Sequence, residues 1–146
     1  MLTSQELTAL LRNHGYKVTP QRLAVYEALA EKPWHPNAEM LYNKLQPKYP
    51  AMSFATVYKT VEILRDIKAI QILNAGEDSY RYDANMQEHY HLCCTECGHI
   101  HDVPMSNEVR EQLTALVKDQ SGYAITGGQF YFYGLCPKCL KLHLWI

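Results

Sequence analysis

Two cysteine pairs, Cys94-Thr95-Glu96-Cys97 and Cys136-Pro137-Lys138-Cys139, carry the most specific chemistry in the sequence. Two residues between thiols let both sulfurs turn toward one ion from a tight knuckle, and two knuckles complete a tetrahedral four-thiolate site suited to Zn²⁺. Gly98 follows the first knuckle, where a tight turn asks for positive φ, and Pro137-Lys138 reads as the polar turn of the second. The 38 residues between Cys97 and Cys136 exceed the usual ribbon spacing, so a helix and strands are expected between the pairs. A site closed by four thiolates serves structure, and removing its metal should unfold the half that carries it. Such cysteines can also be small buried hydrophobes or a redox pair, but two CxxC pairs in a chain expected in a reducing compartment favour zinc. Cys93 is the odd cysteine; its neighbour Cys94 already has the two-residue spacing, so Cys93 reads as a strand residue rather than a ligand.

A second group offers oxygen and nitrogen. His89-Tyr90-His91 alternates, so on a strand both imidazoles share a face. Asp102 lies on the return strand expected at Ile100–Val103, Asp83 ends a hairpin, and His35 sits in Trp34-His35-Pro36 between two helical segments. Three imidazoles and two carboxylates make a harder site than four thiolates, suited to Fe²⁺ or Mn²⁺ with Zn²⁺ competing. Spacing alone leaves the bland alternatives open: a solvated histidine, or an aspartate that caps a turn. His101 is out of phase with Asp102, and His99 and His101 read as surface residues.

Helices must position these groups first. Ser4 is expected to cap a helix with Leu7, Leu10 and Leu11 inward and Gly15 as its stop. Thr19-Pro20 opens a second, burying Leu23, Tyr26 and Leu29. Asn37 caps a third through Ala38, Leu41, Tyr42 and Leu45, closed before Pro47. Ser53 caps a fourth with Phe54, Val57, Val61 and Leu64 on one face. Ile70–Leu73, a turn bearing Gly76, Asp78 and Ser79, and Tyr80–Asp83 read as a β-hairpin. Helices followed by a hairpin suggest a winged helix-turn-helix, whose last helix would offer Thr56, Tyr58, Lys59 and Thr60 to DNA bases and phosphates. The same pattern also suits a plain helical domain with a solvated face.

Composition sets the outer limits. The 146 residues carry a net charge of -1, with 47% hydrophobic and 20% charged residues, which excludes a disordered or collagen-like chain. No apolar run approaches the roughly 20 residues of a membrane helix. The first residues show no basic segment leading into an apolar stretch, so a cytoplasmic location is expected. All five cysteines and five of the seven histidines fall after residue 84, and two modules are expected, 1–84 and 85–146. Neither is strongly basic, so charge alone does not argue for nucleic acid.

Lys17-Val18-Thr19-Pro20-Gln21-Arg22, His35-Pro36, Ser53-x-x-Thr56-Val57-Tyr58-Lys59 and His89-x-His91-x-x-Cys94-x-x-Cys97-Gly98 occur in that order. Over about Gly15 to Cys139 the set resembles the ferric uptake regulator family. The resemblance implies an α+β chain: an N-terminal winged helix-turn-helix DNA-binding domain and a C-terminal α/β dimerisation domain with a four-cysteine zinc site at Cys94, Cys97, Cys136 and Cys139. It implies a homodimeric, metal-responsive repressor of transcription, acting on double-stranded DNA at a palindromic operator, and not an enzyme. Lys17, Arg22, Thr56, Tyr58 and Lys59 are the DNA-contact positions so implied.

Within the family the peroxide-sensing branch is most similar. Its regulatory Fe²⁺ or Mn²⁺ is held by three His and two Asp, which match His35, Asp83, His89, His91 and Asp102, with His35 and His89 the oxidation-sensitive imidazoles. Iron-uptake members commonly carry Glu at the positions of Asp83 and Asp102, and many use a His for a further site where this chain has Gly128. Zinc-uptake members tend to place a Cys among the regulatory ligands, and none of the five is Cys. An iron- or zinc-uptake repressor is the alternative. The helix Ser106–Asp119, with Val109, Leu113, Leu116 and Val117, and the strand Phe130–Tyr133 are expected in the dimer body, the strand serving equally as sheet core. A His/Asp iron site also suits oxygenases, but no nucleophile-base pattern or phosphate-cradling glycine loop accompanies it, and so short a chain leaves little room for a substrate pocket.

Overall fold

The computed structural model describes residues 1–74 and 80–144; the turn expected at Gly76, Asp78 and Ser79 lies outside them. The chain divides into two compact units, Met1–Met86 and Gln87–Ile146.

The first unit is four helices and a hairpin: α1 (Ser4–Asn13), α2 (Pro20–Ala30), α3 (Ala38–Leu45), α4 (Phe54–Asp66), β1 (Gln71–Leu73) and β2 (Arg81–Asp83). Each helix begins where an oxygen-bearing side chain satisfies an orphan amide. Thr19 caps α2 ahead of Pro20, Asn37 caps α3, and Ser53 caps α4. The cap of α1 is Thr3 rather than Ser4, because Glu6 stands at the third helical position and closes a capping box, its carboxylate accepting from the Thr3 N–H at 2.7 Å. Gly15, at φ +78°, follows its C-terminus.

Leu7, Leu11, Val25, Tyr26, Leu41, Val57, Val61, Leu64 and Ile70 form the centre of one apolar core, and Leu10 and Leu23 pack partly against it. Two assignments differ, one inward and one outward. Phe54, the first residue of α4, is exposed although it shares the side of the buried stripe, and it meets Tyr42 edge-on at 5.9 Å. Thr60, expected on the outer face, is buried, its hydroxyl donating to the Thr56 carbonyl at 2.7 Å. β1 and β2 pair antiparallel, Gln71 opposite Asp83, and β2 packs on α2. The unit is a winged helix-turn-helix, with α4 in the recognition position.

The second unit comprises β3 (His89–Cys94), β4 (Ile100–Pro104), α5 (Asn107–Ser121), β5 (Phe130–Gly134) and α6 (Pro137–His143). Its sheet runs β4-β3-β5, with β4 antiparallel and β5 parallel to β3. Alternation puts His89, His91 and Cys93 on one face and Tyr90, Leu92 and Cys94 on the other. The second knuckle is not a free turn: Pro137 stands at the first position of α6 and Cys136 at its N-cap. Among the described residues, the buried apolar side chains of this unit are Cys93, Cys94, Ile100 and Cys139, and α5 buries none. No helix among the described residues is long and apolar enough to cross a membrane.

Candidate metal centres and recognition helix

The end of β3, the tight turn after it and the start of α6 converge four sulfurs. Cys94 closes β3, and its carbonyl accepts from the N–H of Gly98, which turns at φ +72°. The Thr95 N–H donates to the Gly134 carbonyl at 2.9 Å, which ties the first knuckle to the end of β5. The Sγ atoms of Cys94, Cys97, Cys136 and Cys139 all lie within 4.8 Å of one another. Cys97 and Cys136 are 3.8 Å apart, and a tetrahedron with Zn–S bonds of about 2.3 Å has an edge of about 3.8 Å.

Backbone amides prepare the cluster for charge. The N–H groups of Cys97 and Cys136 aim at the Cys94 sulfur and pull its pKa down to about 6; the Cys136 N–H lies 3.3 Å away. The hydrogen bond with Cys136, aided by burial, holds Cys139 protonated and pushes its pKa up to about 12. Four crowded thiols that ionise so unevenly suit a divalent cation able to take all of them as thiolates. Cys93 is buried in β3 outside this cluster.

The second unit also gathers two imidazoles and a carboxylate. His91 stands opposite Asp102 in the β3–β4 register. Asp102 Oδ1 lies 3.3 Å from His89 Nε2 and 3.6 Å from His91 Nε2, and the two rings are 4.3 Å apart. His89 Nδ1 donates to the Gln87 carbonyl at 2.6 Å. A carbonyl only accepts, so the proton sits on Nδ1 and the Nε2 lone pair is left for a metal. Tyr131 of β5 stacks on His91 at 5.3 Å and fixes its plane. His99 and His101 are both exposed, as surface residues apart from this group.

In the first unit, His35 and Asp83 pair, His35 Nε2 lying 3.6 Å from Asp83 Oδ2 with both side chains buried. The Asp83 carboxylate also accepts the Asn85 N–H at 2.8 Å, which orients it. Imidazole and carboxylate are donors that suit Fe²⁺, Mn²⁺ or Zn²⁺.

The outer side of α4 presents Tyr58, 45% exposed, beside exposed Lys59, while Thr56 is half-buried with its hydroxyl 2.9 Å from Ser53 Oγ. Lys17 and Arg22 flank the start of α2. Arg22 donates to the Lys17 carbonyl at 2.6 Å and lies 5.9 Å from the Tyr16 ring, so it stiffens the α1–α2 loop, while Lys17 is exposed. Sequence reasoning misses Arg81; its signal is its place two residues before Asp83, on the same side of β2.

Residues 13–133 match the Ferric uptake regulator family. The chain is 38% identical over 137 residues to the peroxide-responsive repressor PerR of Staphylococcus epidermidis, covering 92% of this chain and 89% of that protein. The solved structure of the Campylobacter jejuni peroxide stress regulator is similar at a TM-score of 0.75 and 32% identity, over 92% of this chain and 99% of that one. The Helicobacter pylori ferric uptake regulator Fur, at a TM-score of 0.79 and 22% identity over 93% and 90% of the two chains, shares the fold. By the extent of these matches, the chain belongs to the ferric uptake regulator family.

Proposed function

We propose that this chain is a cytoplasmic, homodimeric repressor of transcription that binds double-stranded DNA when a regulatory metal is loaded and lets go when hydrogen peroxide oxidises a ligand. The observation that carries the reading is the donor set. His35 with Asp83, and His89 and His91 with Asp102, offer three imidazoles and two short carboxylates and no thiol. The likeness to proteins named as peroxide-responsive repressors supports the same assignment.

In this reading Cys94, Cys97, Cys136 and Cys139 hold a structural Zn²⁺, and the five His and Asp residues share one Fe²⁺ or Mn²⁺. Two of those ligands belong to the first unit and three to the second, so a shared ion would hold the units in one arrangement. It shifts the population only by its differential affinity for that arrangement. In a two-fold dimer that arrangement sets the separation of two α4 helices, which must match successive major grooves of a palindromic operator. Lys17, Arg22, Thr56, Tyr58 and Lys59 contact the DNA, the cations at phosphates.

A bound Fe²⁺ would supply the redox chemistry that activates peroxide beside an imidazole, lending one electron and regaining it, so that the net change is a two-electron oxidation of the ring by peroxide. Oxidation inserts one peroxide oxygen into the ring of His35 or His89, the other leaving as water. The oxidised ring is a poorer base, its Nε2 no longer competes for the metal, and the two units part.

Iron loading, exposure to hydrogen peroxide and peptide mass analysis test this. A gain of one oxygen on the peptide bearing His35 or His89, with loss of operator binding and no change in a Mn²⁺-loaded control, is the expected result. No gain, with DNA binding intact, would assign the chain to iron or zinc uptake. Iron binding with no affinity for duplex DNA would overturn the repressor reading.

A further inference from the structure

Strand β2 grips the loop that carries His35 at three successive residues. Arg81 Nη1 donates to the His35 carbonyl at 2.8 Å, the Tyr82 N–H donates to the Pro36 carbonyl at 2.9 Å, and the Asp83 carboxylate lies 3.6 Å from His35 Nε2. The backbone under this grip is strained: His35 has φ +44°, in the left-handed region that a side chain with a Cβ avoids. Pro36 sharpens the conflict, because the residue before a proline relaxes toward extended backbone. Such a conformation persists only where its surroundings over-determine it.

The guanidinium is itself well braced. The Nη1 that holds the His35 carbonyl lies 3.3 Å from Met40 Sδ on α3, so β2, α3 and the loop converge on one nitrogen. A hydrogen bond from a permanent cation to a carbonyl is stronger than one from a neutral donor, which suits it to hold a strained peptide.

We infer that Arg81 is a positioning residue for His35, clamping its carbonyl so that the left-handed turn is kept and the imidazole stays beside Asp83. Without the clamp His35 relaxes to extended backbone and its ring leaves the carboxylate. The conformational part stands on the first unit alone; the effect on metal binding rests on the reading proposed above.

Two measurements on the full chain test the clamp. In metal-free protein, a strong intraresidue HN–Hα NOE at His35 marks the left-handed backbone; it should vanish in Arg81→Met and persist in Arg81→Lys, which keeps a cationic donor. In titrations with Mn²⁺ alone, Arg81→Met should lose about tenfold in affinity, the lower end for losing an outer partner of a ligand. It should lose nothing further in a His35→Ala background, since the residue acts through His35.

An unchanged NOE in Arg81→Met, or an affinity loss of equal size with and without His35, would overturn the inference. If His35→Ala binds Mn²⁺ as the parent does, the metal reading fails while the NOE still decides the clamp. Should Arg81→Met melt before it can be measured, Arg81→Gln, with a shorter neutral amide, takes the same two tests and should also lose the NOE.

Discussion

Asp102 faces His91 across the β3–β4 ladder and reaches His89 from the same position, its Oδ1 3.6 Å from one Nε2 and 3.3 Å from the other. One carboxylate oxygen thus looks at two imidazoles that share a strand face. With His89 Nδ1 protonated against the Gln87 carbonyl, its lone pair points to the Asp102 side. The pleat of β3 produces this convergence, and the return register of β4 completes it.

Replacing that carboxylate should therefore empty the regulatory site and spare the zinc. In Asp102→Asn or His89→Ala, Mn²⁺-dependent operator binding is expected to fall at least tenfold by fluorescence anisotropy, with zinc content unchanged. Equal DNA affinity with and without Mn²⁺ in both parent and variant would refute metal control.

Much of this is legible in the sequence because it is local. Cap residues announce helix starts, CxxC spacing announces a knuckle, and alternation announces which strand residues share a face. Ser4 competes with Thr3 as the cap of α1 because either hydroxyl can serve; Glu6, three residues after Thr3, holds the answer. Cys136-Pro137 repeats the logic of Thr19-Pro20, so the helix at the second knuckle is readable too. Three features are not. The parallel pairing of β5 with β3, the left-handed turn at His35 and the reach of Arg81 to its carbonyl all depend on residues distant in sequence.

The thiol cluster should behave as part of the fold. Cys136→Ser keeps an N-cap for α6 but loses a thiolate, and the second unit has few other buried side chains to fall back on. Zinc content should drop to background, and circular dichroism should show loss of cooperative melting in the second unit, since a structural zinc of this kind contributes on the order of 10 kcal/mol. A zinc-free variant that melts like the parent would show that the thiols are only packing.

Two substitutions in the first unit should separate stability from recognition. Leu41 is fully buried at the centre of the core, and Leu41→Ala should cost about 2–5 kcal/mol in urea denaturation. Lys59 is exposed on α4, and Lys59→Ala should leave that stability within about 0.5 kcal/mol while lowering the salt dependence of DNA binding by about one ion. A Lys59→Ala variant with the parent's salt slope would remove this residue from the DNA face.

Helix α5 has good ends but buries none of its side chains. Ser106 caps its start and Gly122, at φ +73°, closes its end, yet none of its residues is buried, with Leu116 53% and Val117 48% exposed. Phe132 on the edge strand β5 is 55% exposed as well. A helix draws most of its stability from packing its apolar stripe, and Val109, Leu113, Leu116 and Val117 fall on one stripe at helical spacing. A second copy of the chain is the occupant expected for this surface. Val117→Glu should therefore shift sedimentation from dimer to monomer at micromolar concentration. Operator affinity should fall with it, because two half-sites are no longer read together. A Val117→Glu chain that stays dimeric at the parent's dissociation constant would place the interface elsewhere.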